Sequence, residues 1–283
     1  MNIVLVFFGI TIFSIMLTMG VNDSLQQLIS LWRQPAILVR ALLAVIVLVP
    51  AVVVVLLFVF DLPPAVATGL ALLAATPGAP LTTTRGKIAA ADTTYISSLQ
   101  LTVALLAVVV TPLTLAIFYR FFELTIEAVS PLHVASQVAR VTFLPVVIGL
   151  LLQHFAPKFT ALIRKPLNIL AMVLLVLLAI TAVAILLSTA ELRTGLLVGS
   201  QAIAAIVLMA VGALAIGHVI GGPRADQRGA LATACVARNF GLALFIAGLS
   251  ENGAPSMLTL VVYLLVGMAL ATPYGLWIRR QVE

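Results

Sequence analysis

The sequence predicts an all-α integral membrane protein of about ten transmembrane helices, and three observations lead to this fold class. Hydrophobic residues fill 63% of the 283 positions, whereas charged residues fill only 8%. The mean hydropathy is +1.26, while soluble domains are roughly half apolar and a quarter charged. Apolar stretches of about 17 to 25 residues recur along the chain, which is the length needed to cross a hydrocarbon layer of roughly 30 Å.

Ten apolar segments, separated by polar residues or by Pro and Gly, are interpreted as the transmembrane helices. They are residues 3–21, 36–60, 63–76, 78–92, 93–118, 138–155, 166–188, 193–220, 225–250 and 254–277. The connections between them are short, so we expect a single membrane domain over residues 1–283. Residues 22–34 carry apolar side chains at the spacing of an amphipathic helix lying in the membrane interface.

The basic residues predict the orientation of the chain. With ten spans, one side carries most of them near span ends, namely Lys158, Arg164, Lys165, Arg224, Arg228, Arg279 and Arg280. The other side carries mainly Arg33, Arg120 and Arg193. The positive-inside rule then places both termini in the cytoplasm of a bacterium, with the protein in its inner membrane.

The fourth segment is too short and too polar for an ordinary lipid-facing span. Its roughly 15 residues reach only about 22 Å as a regular helix. Pro77, Gly78 and Pro80 interrupt helical hydrogen bonding just before three hydroxyl side chains, those of Thr82, Thr83 and Thr84. Freed backbone at membrane depth is tolerated only inside protein or against a watery cavity. We therefore expect an unwound segment that contributes polar groups to a site.

The ninth segment places Arg238 and Asn239 about twelve residues from each of its ends. An arginine near the bilayer midplane costs at least about 2.5–3.5 kcal/mol on insertion scales, so it faces the protein interior or water. The functional interpretation is a contact with an anionic ligand. The alternative is that Arg238 is satisfied by backbone carbonyls of the unwound segment and braces the fold, and that Asn239 hydrogen-bonds across helices.

The two anomalous segments fall late in each half of the ten spans, as expected for an inverted repeat of five-helix halves. The repeats would cover residues 1–120 and 131–283. Helix ends, free backbone groups and the side chains of Thr82, Thr83, Thr84, Arg238 and Asn239 would then meet at one depth, with Gln100 lining the cavity from the fifth span. This arrangement predicts a secondary transporter for a small organic anion.

Other function classes have little support in the sequence. The basic residues are scattered through connectors, which is not typical of a nucleic-acid partner. The one cysteine, Cys235, excludes an intramolecular disulfide, and the three histidines show no metal-ligand spacing. No catalytic triad or phosphate loop is evident, so we expect neither an enzyme nor a cofactor.

Three stretches resemble the bile acid:sodium symporter family, whose members carry bile acids or small carboxylates. Met19, Gly20 and Pro35 are similar to the family's opening, and PGAPLTTTRGKIAAAD over residues 77–92 is similar to its first crossover motif. ACVARNFGLA over residues 234–243 resembles its second. The resemblance implies a core and a panel domain, with the fourth and ninth helices unwound where they cross.

The resemblance also implies sodium-site positions, which are Thr82, Thr83, Ile96, Gln100, Ala234 and Arg238. The family has a glutamate where this chain has Ala234 and a glutamine where it has Arg238. Sodium prefers oxygen ligands and is repelled by a nearby guanidinium. We therefore expect transport without classical sodium coupling, as uniport, anion exchange or proton-linked transport. An anion channel, or a membrane sensor or scaffold that no longer transports, is an alternative on the same fold.

Overall fold

A computed structural model of the protein describes residues 3–80, 86, 88–125, 130–188 and 199–282. Within these residues the regular secondary structure is helical, and one isolated β-bridge joins Pro77 to Arg238. Seven helical spans in this described part are long and apolar enough to cross a membrane. The expectation of an all-helical membrane protein is confirmed.

The helices have the following bounds. They are α1 (Ile3–Asn22), α2 (Leu25–Trp32), α3 (Pro35–Leu42), α4 (Val49–Val59), α5 (Pro64–Ala75), α6 (Thr93–Phe121), α7 (Pro131–Val138), α8 (Leu144–Phe155), α9 (Pro157–Ser188), α10 (Ser200–Ile220), α11 (Ala225–Val236), α12 (Phe240–Gly248) and α13 (Ala254–Val282).

Two spans switch from α-helical to π-helical winding just before a proline. Residues Leu43–Leu48 are π-helical between α3 and α4, and Pro50 follows them. Residues Ala139–Phe143 are π-helical between α7 and α8, and Pro145 follows them. Because proline has no N–H group, a carbonyl on the preceding turn loses its donor, and a π-helical turn accommodates the mismatch.

Two further spans are interrupted near their middle. Residues 237–239 separate α11 from α12, and residues 76–79, which follow α5, are not helical. The Oγ1 atom of Thr68 in α5 accepts the N–H of Thr125, just after the end of α6, at 2.8 Å. Ala89 instead lies against Gly229, close to the start of α11. The described ends of this stretch, at Thr68 and Ala89, therefore lie at opposite ends of α6, as expected for a single crossing.

This geometry corrects the predicted count of ten spans. The predicted segments 63–76 and 78–92 are two halves of one interrupted span, because α5 has only 12 residues and ends inside the membrane. Seven uninterrupted and two interrupted spans give nine crossings over the described residues. An odd number would put the ends of the described chain on opposite faces, whereas we predicted that both termini lie in the cytoplasm. We call these faces the Ile3 face and the Asn22 face, after the two ends of α1.

The predicted helix within residues 22–34 is confirmed, and some boundaries of other helices move. Residues 22–34 contain helix α2, whose first turn is closed by a reciprocal capping box between Ser24 and Gln27. Asp92 caps α6, where its Oδ1 atom accepts the backbone N–H groups of Thr94 and Tyr95 at 3.0 Å each. The spans predicted to start at residues 138 and 166 begin earlier, at Pro131 and Pro157.

The helices pack in two groups that meet around α1. Helix α1 packs on α8 and α9, whereas α10 packs on α11 and α13 packs on α5. The contact of α1 with α8 needs glycine, because a Cβ atom at Gly20 would lie 2.3 Å from the carbonyl oxygen of Val146. The two interrupted spans cross within the second group, next to α1.

Candidate functional site

The two interrupted segments cross in contact with each other. Pro77 and Arg238 form the antiparallel bridge, and the N–H of Asn239 donates to the carbonyl oxygen of Thr76 at 2.9 Å. Gly78 has a φ of 82°, a backbone conformation that L side chains rarely adopt. Breaking both helices at this crossing lets their backbone groups pair with each other instead of remaining unsatisfied at membrane depth.

Arg238 lies at the crossing and is only 4% exposed. Its guanidinium donates to three backbone carbonyls: Nε to Leu73 at 2.8 Å, Nη2 to Ala74 at 2.5 Å, and Nη1 to Val45 at 3.2 Å. Leu73 and Ala74 are in the last turn of α5, and Val45 is in the π-helical segment before α4. The predicted brace is therefore present, although its acceptors precede the segment from which we expected them.

Two of these carbonyls lack a regular helical donor because of proline. The residue four positions after Leu73 is Pro77, and the residue five positions after Val45 is Pro50. The N–H of Val49, which would serve Val45 in an α-helix, donates to Ala44 instead. Buried carbonyls without donors are costly, so Arg238 supplies the donor that Val45 lacks. Leu73 accepts the N–H of Thr76 at 3.3 Å, and Arg238 gives it a second, shorter hydrogen bond.

Asn239 is buried and acts as the N-cap of α12, where its Oδ1 atom accepts the N–H of Leu242 at 3.1 Å. Its φ of −76° and ψ of 79° form an inverse γ-turn, closed by the N–H of Phe240 and the carbonyl of Arg238 at 2.9 Å. The positive end of the α12 dipole therefore points into the crossing. The sequence placed Asn239 at this depth but did not predict its capping role.

Gln100 is the polar side chain that α6 brings to the crossing. It is buried, and its Nε2 atom has no hydrogen-bond partner within the described residues. The same atom lies 3.4 Å from where a Cβ on Gly78 would stand. A buried amide donor without a partner beside the broken helix suits a ligand acceptor.

The remaining predicted positions divide into two sets. Thr82, Thr83 and Thr84 lie outside the described residues. Ile96 and Ala234 are both buried and offer no side-chain oxygen, and Ile96 packs against Gly86. Of the predicted site residues that the structure describes, Gln100, Arg238 and Asn239 therefore meet at the crossing.

A cavity of about 250 Å³ adjoins the crossing. Its walls come from α1, α9 and α13, and its floor is formed by residues 79–80 and 238–241. Most of the lining side chains are apolar, among them Ile12, Leu175 and Leu264, so the polar groups of the crossing form one end of a mostly hydrophobic chamber. Such a chamber matches a ligand with a charged group and an apolar body.

Tyr263 is a polar residue of the crossing that the sequence reading missed. It is 3% exposed, and its hydroxyl donates to the carbonyl of Val236, the last residue of α11, at 2.9 Å. A tyrosine near the middle of an apolar span was the signal that could have identified it. The apolar cavity walls carried no such signal.

The sequence model of the sodium bile acid symporter family matches residues 9–194. The match covers more than half of the chain and includes the first interrupted span, while the second, α11 and α12, lies beyond it. No curated protein matches the chain at a significant level. With nine helical crossings and two helices broken where they meet, this chain belongs to the sodium bile acid symporter family.

Proposed function

We propose that the protein is a secondary transporter that moves a small organic anion through the crossing by alternating access. The observation that carries the proposal is the buried Arg238 guanidinium at the junction of two broken helices, on the wall of a mostly apolar cavity. Family membership points to a transporter rather than an enzyme. An intramembrane cation at a cavity is the usual mark of a substrate pathway.

Two inverted repeats of four spans each provide the moving parts in this proposal. The first runs from α1 to α6 and the second from α9 to α13, and the span formed by α7 and α8 lies between them. Corresponding spans cross in opposite directions, and the interrupted spans occupy the third position of each repeat. Asn22 and Asn168 exchange two hydrogen bonds, of 2.8 and 3.2 Å, where α1 meets α9. This replaces the predicted five-helix halves.

The charge distribution supports an orientation with the Asn22 face in the cytoplasm. That face carries Arg33, Lys158, Arg164, Lys165, Arg224, Arg228, Arg279 and Arg280 among the described residues, and Arg40 lies close to it. Arg120 and Arg140 lie in the half of the protein nearer the Ile3 face. By the positive-inside rule, the C-terminal end of α13 is cytoplasmic and the start of α1 is on the opposite side.

The charge and free donors of the crossing support an anionic substrate. A guanidinium has five N–H groups, and three of those on Arg238 bind carbonyls, so two have no acceptor among the described residues. The free amide of Gln100 adds a third donor position. A carboxylate accepts such donors, and the apolar walls match a hydrocarbon body.

Arg238 also supports transport without sodium. At about 5 Å and an effective dielectric constant near 20, a sodium ion and the guanidinium would repel by about 3 kcal/mol. The side chains of Ala234 and Ile96 supply no oxygen ligand to offset that repulsion. In this proposal the fixed positive charge of Arg238 replaces the charge of a bound sodium ion.

The test is uptake of radiolabelled pyruvate and of a steroid acid into proteoliposomes, with sodium present or replaced by choline. We expect uptake of at least one of the two anions at equal rates in both media. We also expect Arg238→Gln to abolish uptake, and Arg33→Gln, a matched loss of one surface charge, to retain it. Uptake that requires sodium would refute the uncoupled mechanism, and unchanged uptake in Arg238→Gln would refute the site.

Two further measurements separate this proposal from its alternatives. A conductance in planar bilayers that rises with the anion concentration would indicate a channel. Thermal stabilisation of the protein by the anion without any flux would indicate a sensor or scaffold, and either result would overturn alternating-access transport.

A further inference from the structure

Arg140 is a second arginine at membrane depth, and it belongs to a span that does not take part in the crossing. It is nine residues into the 25-residue span Pro131–Phe155, which places its Cα about 14 Å from the start of that span. Its side chain is exposed and makes no hydrogen bond or ion pair within the described residues. An arginine at this depth needs an anion or water from outside the protein.

The carbonyl of Arg140 lacks the two donors that a regular helix would supply. The N–H of Leu144 donates to Ala139 rather than to Arg140, and the next residue, Pro145, has no N–H. The Arg140 carbonyl thus lacks both its α-helical and its π-helical donor. A phosphate cannot donate to this carbonyl, so the carbonyl suits a headgroup hydroxyl while the guanidinium suits the phosphate.

Polar side chains connect Arg140 to the membrane surface along one stripe of α7. Gln137 lies one turn before Arg140, and its Nε2 atom is 3.4 Å from the Nε2 atom of the exposed His133, one turn earlier. Positions three and four residues apart share one side of a helix. The stripe reaches from the Ile3 face into the bilayer.

Arg140 and Gln137 stand at the side of an open groove of about 550 Å³. Its other walls are apolar and come from α1 through Val6 and Ile10, from α8 through Leu144, and from the end of α12 through Phe245. Ile10 is 57% exposed and Leu144 is 48% exposed, so the groove opens towards the lipid. It includes none of the residues that line the cavity at the crossing.

We propose that this groove binds one anionic phospholipid from the leaflet at the Ile3 face. The phosphate contacts Arg140 and Gln137, and an acyl chain lies along Val6, Ile10 and Leu144. The lipid neutralises a cation that the described protein leaves unpaired, and its chain covers apolar walls that already face the bilayer. Charge complementarity favours this occupant over a zwitterionic lipid.

The test uses native mass spectrometry of the full chain with phosphatidylglycerol and phosphatidylcholine of matched acyl chains. We expect the protein to retain one phosphatidylglycerol that phosphatidylcholine does not displace. Arg140→Gln weakens this binding about fivefold, because a basic residue near a membrane surface contributes about that factor. Arg120→Gln removes a charge from the same half of the protein and serves as the matched control, with retention unchanged.

A second variant tests the groove without touching the charge. Ile10→Trp fills the apolar wall, and we expect it to reduce phosphatidylglycerol retention while the melting temperature in lipid-free detergent stays within a few degrees of wild type. Equal retention by wild type, Arg140→Gln and Ile10→Trp would overturn the proposal. Displacement of the bound lipid by pyruvate or a steroid acid at equal concentration would also overturn it, because the groove would then bind the solute.

Discussion

Replacing Arg238 tests whether the guanidinium holds the crossing together. The Ala74 and Val45 carbonyls lose their donor in Arg238→Gln, whereas the Leu73 carbonyl keeps the N–H of Thr76 at 3.3 Å. An unsatisfied buried carbonyl costs about 1–3 kcal/mol, so two of them cost about 2–6 kcal/mol. Removing the buried charge of Arg238 also removes its desolvation penalty, which offsets part of this loss of stability. We expect a net loss of about 2–4 kcal/mol.

Arg238→Lys separates charge from geometry. A lysine keeps the positive charge, but its single ammonium nitrogen cannot reach carbonyls at the end of α5 and in the π-helical segment together. We expect it to recover at most half of the stability lost in Arg238→Gln. The free energy of unfolding is measured by denaturant titration in detergent micelles, with helical circular dichroism as the signal. An Arg238→Gln protein within about 0.5 kcal/mol of wild type would refute the bracing role.

Pro50→Ala tests whether the missing N–H of Pro50 leaves the Val45 carbonyl dependent on Arg238. The alanine supplies an N–H that can donate to the Val45 carbonyl, so Arg238 is no longer its sole donor. The cost of Arg238→Gln should then fall by about 1 kcal/mol in the Pro50→Ala background. Strictly additive effects in this double-mutant cycle would show that Pro50 does not create the demand for Arg238.

Two other predictions concern the Asn22 face and the packing of α1. Burial raises the pKa of Asp23 from 3.8 to about 6, against the opposing effects of Ser97 and Arg164. The native state therefore holds this proton more tightly, and stability falls as pH rises from about 4 to 6. Asp23→Asn should stabilise the protein by about 1–3 kcal/mol at pH 7.5 and by progressively less towards pH 4, measured by thermal melts; a pH-independent difference would contradict the shift. A Cβ added at Gly149 would lie 2.6 Å from the Leu17 carbonyl, so Gly149→Ala should cost about 1–3 kcal/mol, whereas Gly267→Ala, with its nearest neighbours at 3.8 Å, should be close to neutral in the same melts.

The fold class could be predicted from sequence because hydropathy and length suffice for it, but the number of spans could not. Residues 63–76 and 78–92 are separated by Pro77, so they look like two short helices in the sequence. Only the contacts at their far ends, Thr68 with Thr125 and Ala89 with Gly229, show that they form one crossing. Hydropathy records how apolar a segment is, not whether two neighbouring segments each cross the membrane or cross it once together.

The site was predictable to the extent that its signals were local. Arg238 and Asn239 were identified because polar residues inside an apolar span are costly. The partners of Arg238 could not be identified in this way, since they are main-chain oxygens of apolar residues in two other spans. We predicted that these oxygens belong to the unwound segment after Pro77, whereas they lie before it.

Counting the backbone N–H groups that proline lacks identifies carbonyl groups that the sequence interpretation did not predict as partners of Arg238. Each proline inside a span deprives one carbonyl of its donor, and in this chain Pro50 and Pro77 leave acceptors at Val45 and Leu73 that a single guanidinium reaches. Pro145 leaves a similar acceptor at Arg140, but there the arginine is adjacent in sequence and its side chain points into an open groove. Arg238 reaches the carbonyls of Val45 and Leu73 in two other spans and joins those spans. The guanidinium of Arg140 has no such acceptor among the described residues and lies at an open groove. The donor deficit therefore accounts for the braced crossing, whereas the proposed lipid contact depends on the unpaired charge of Arg140.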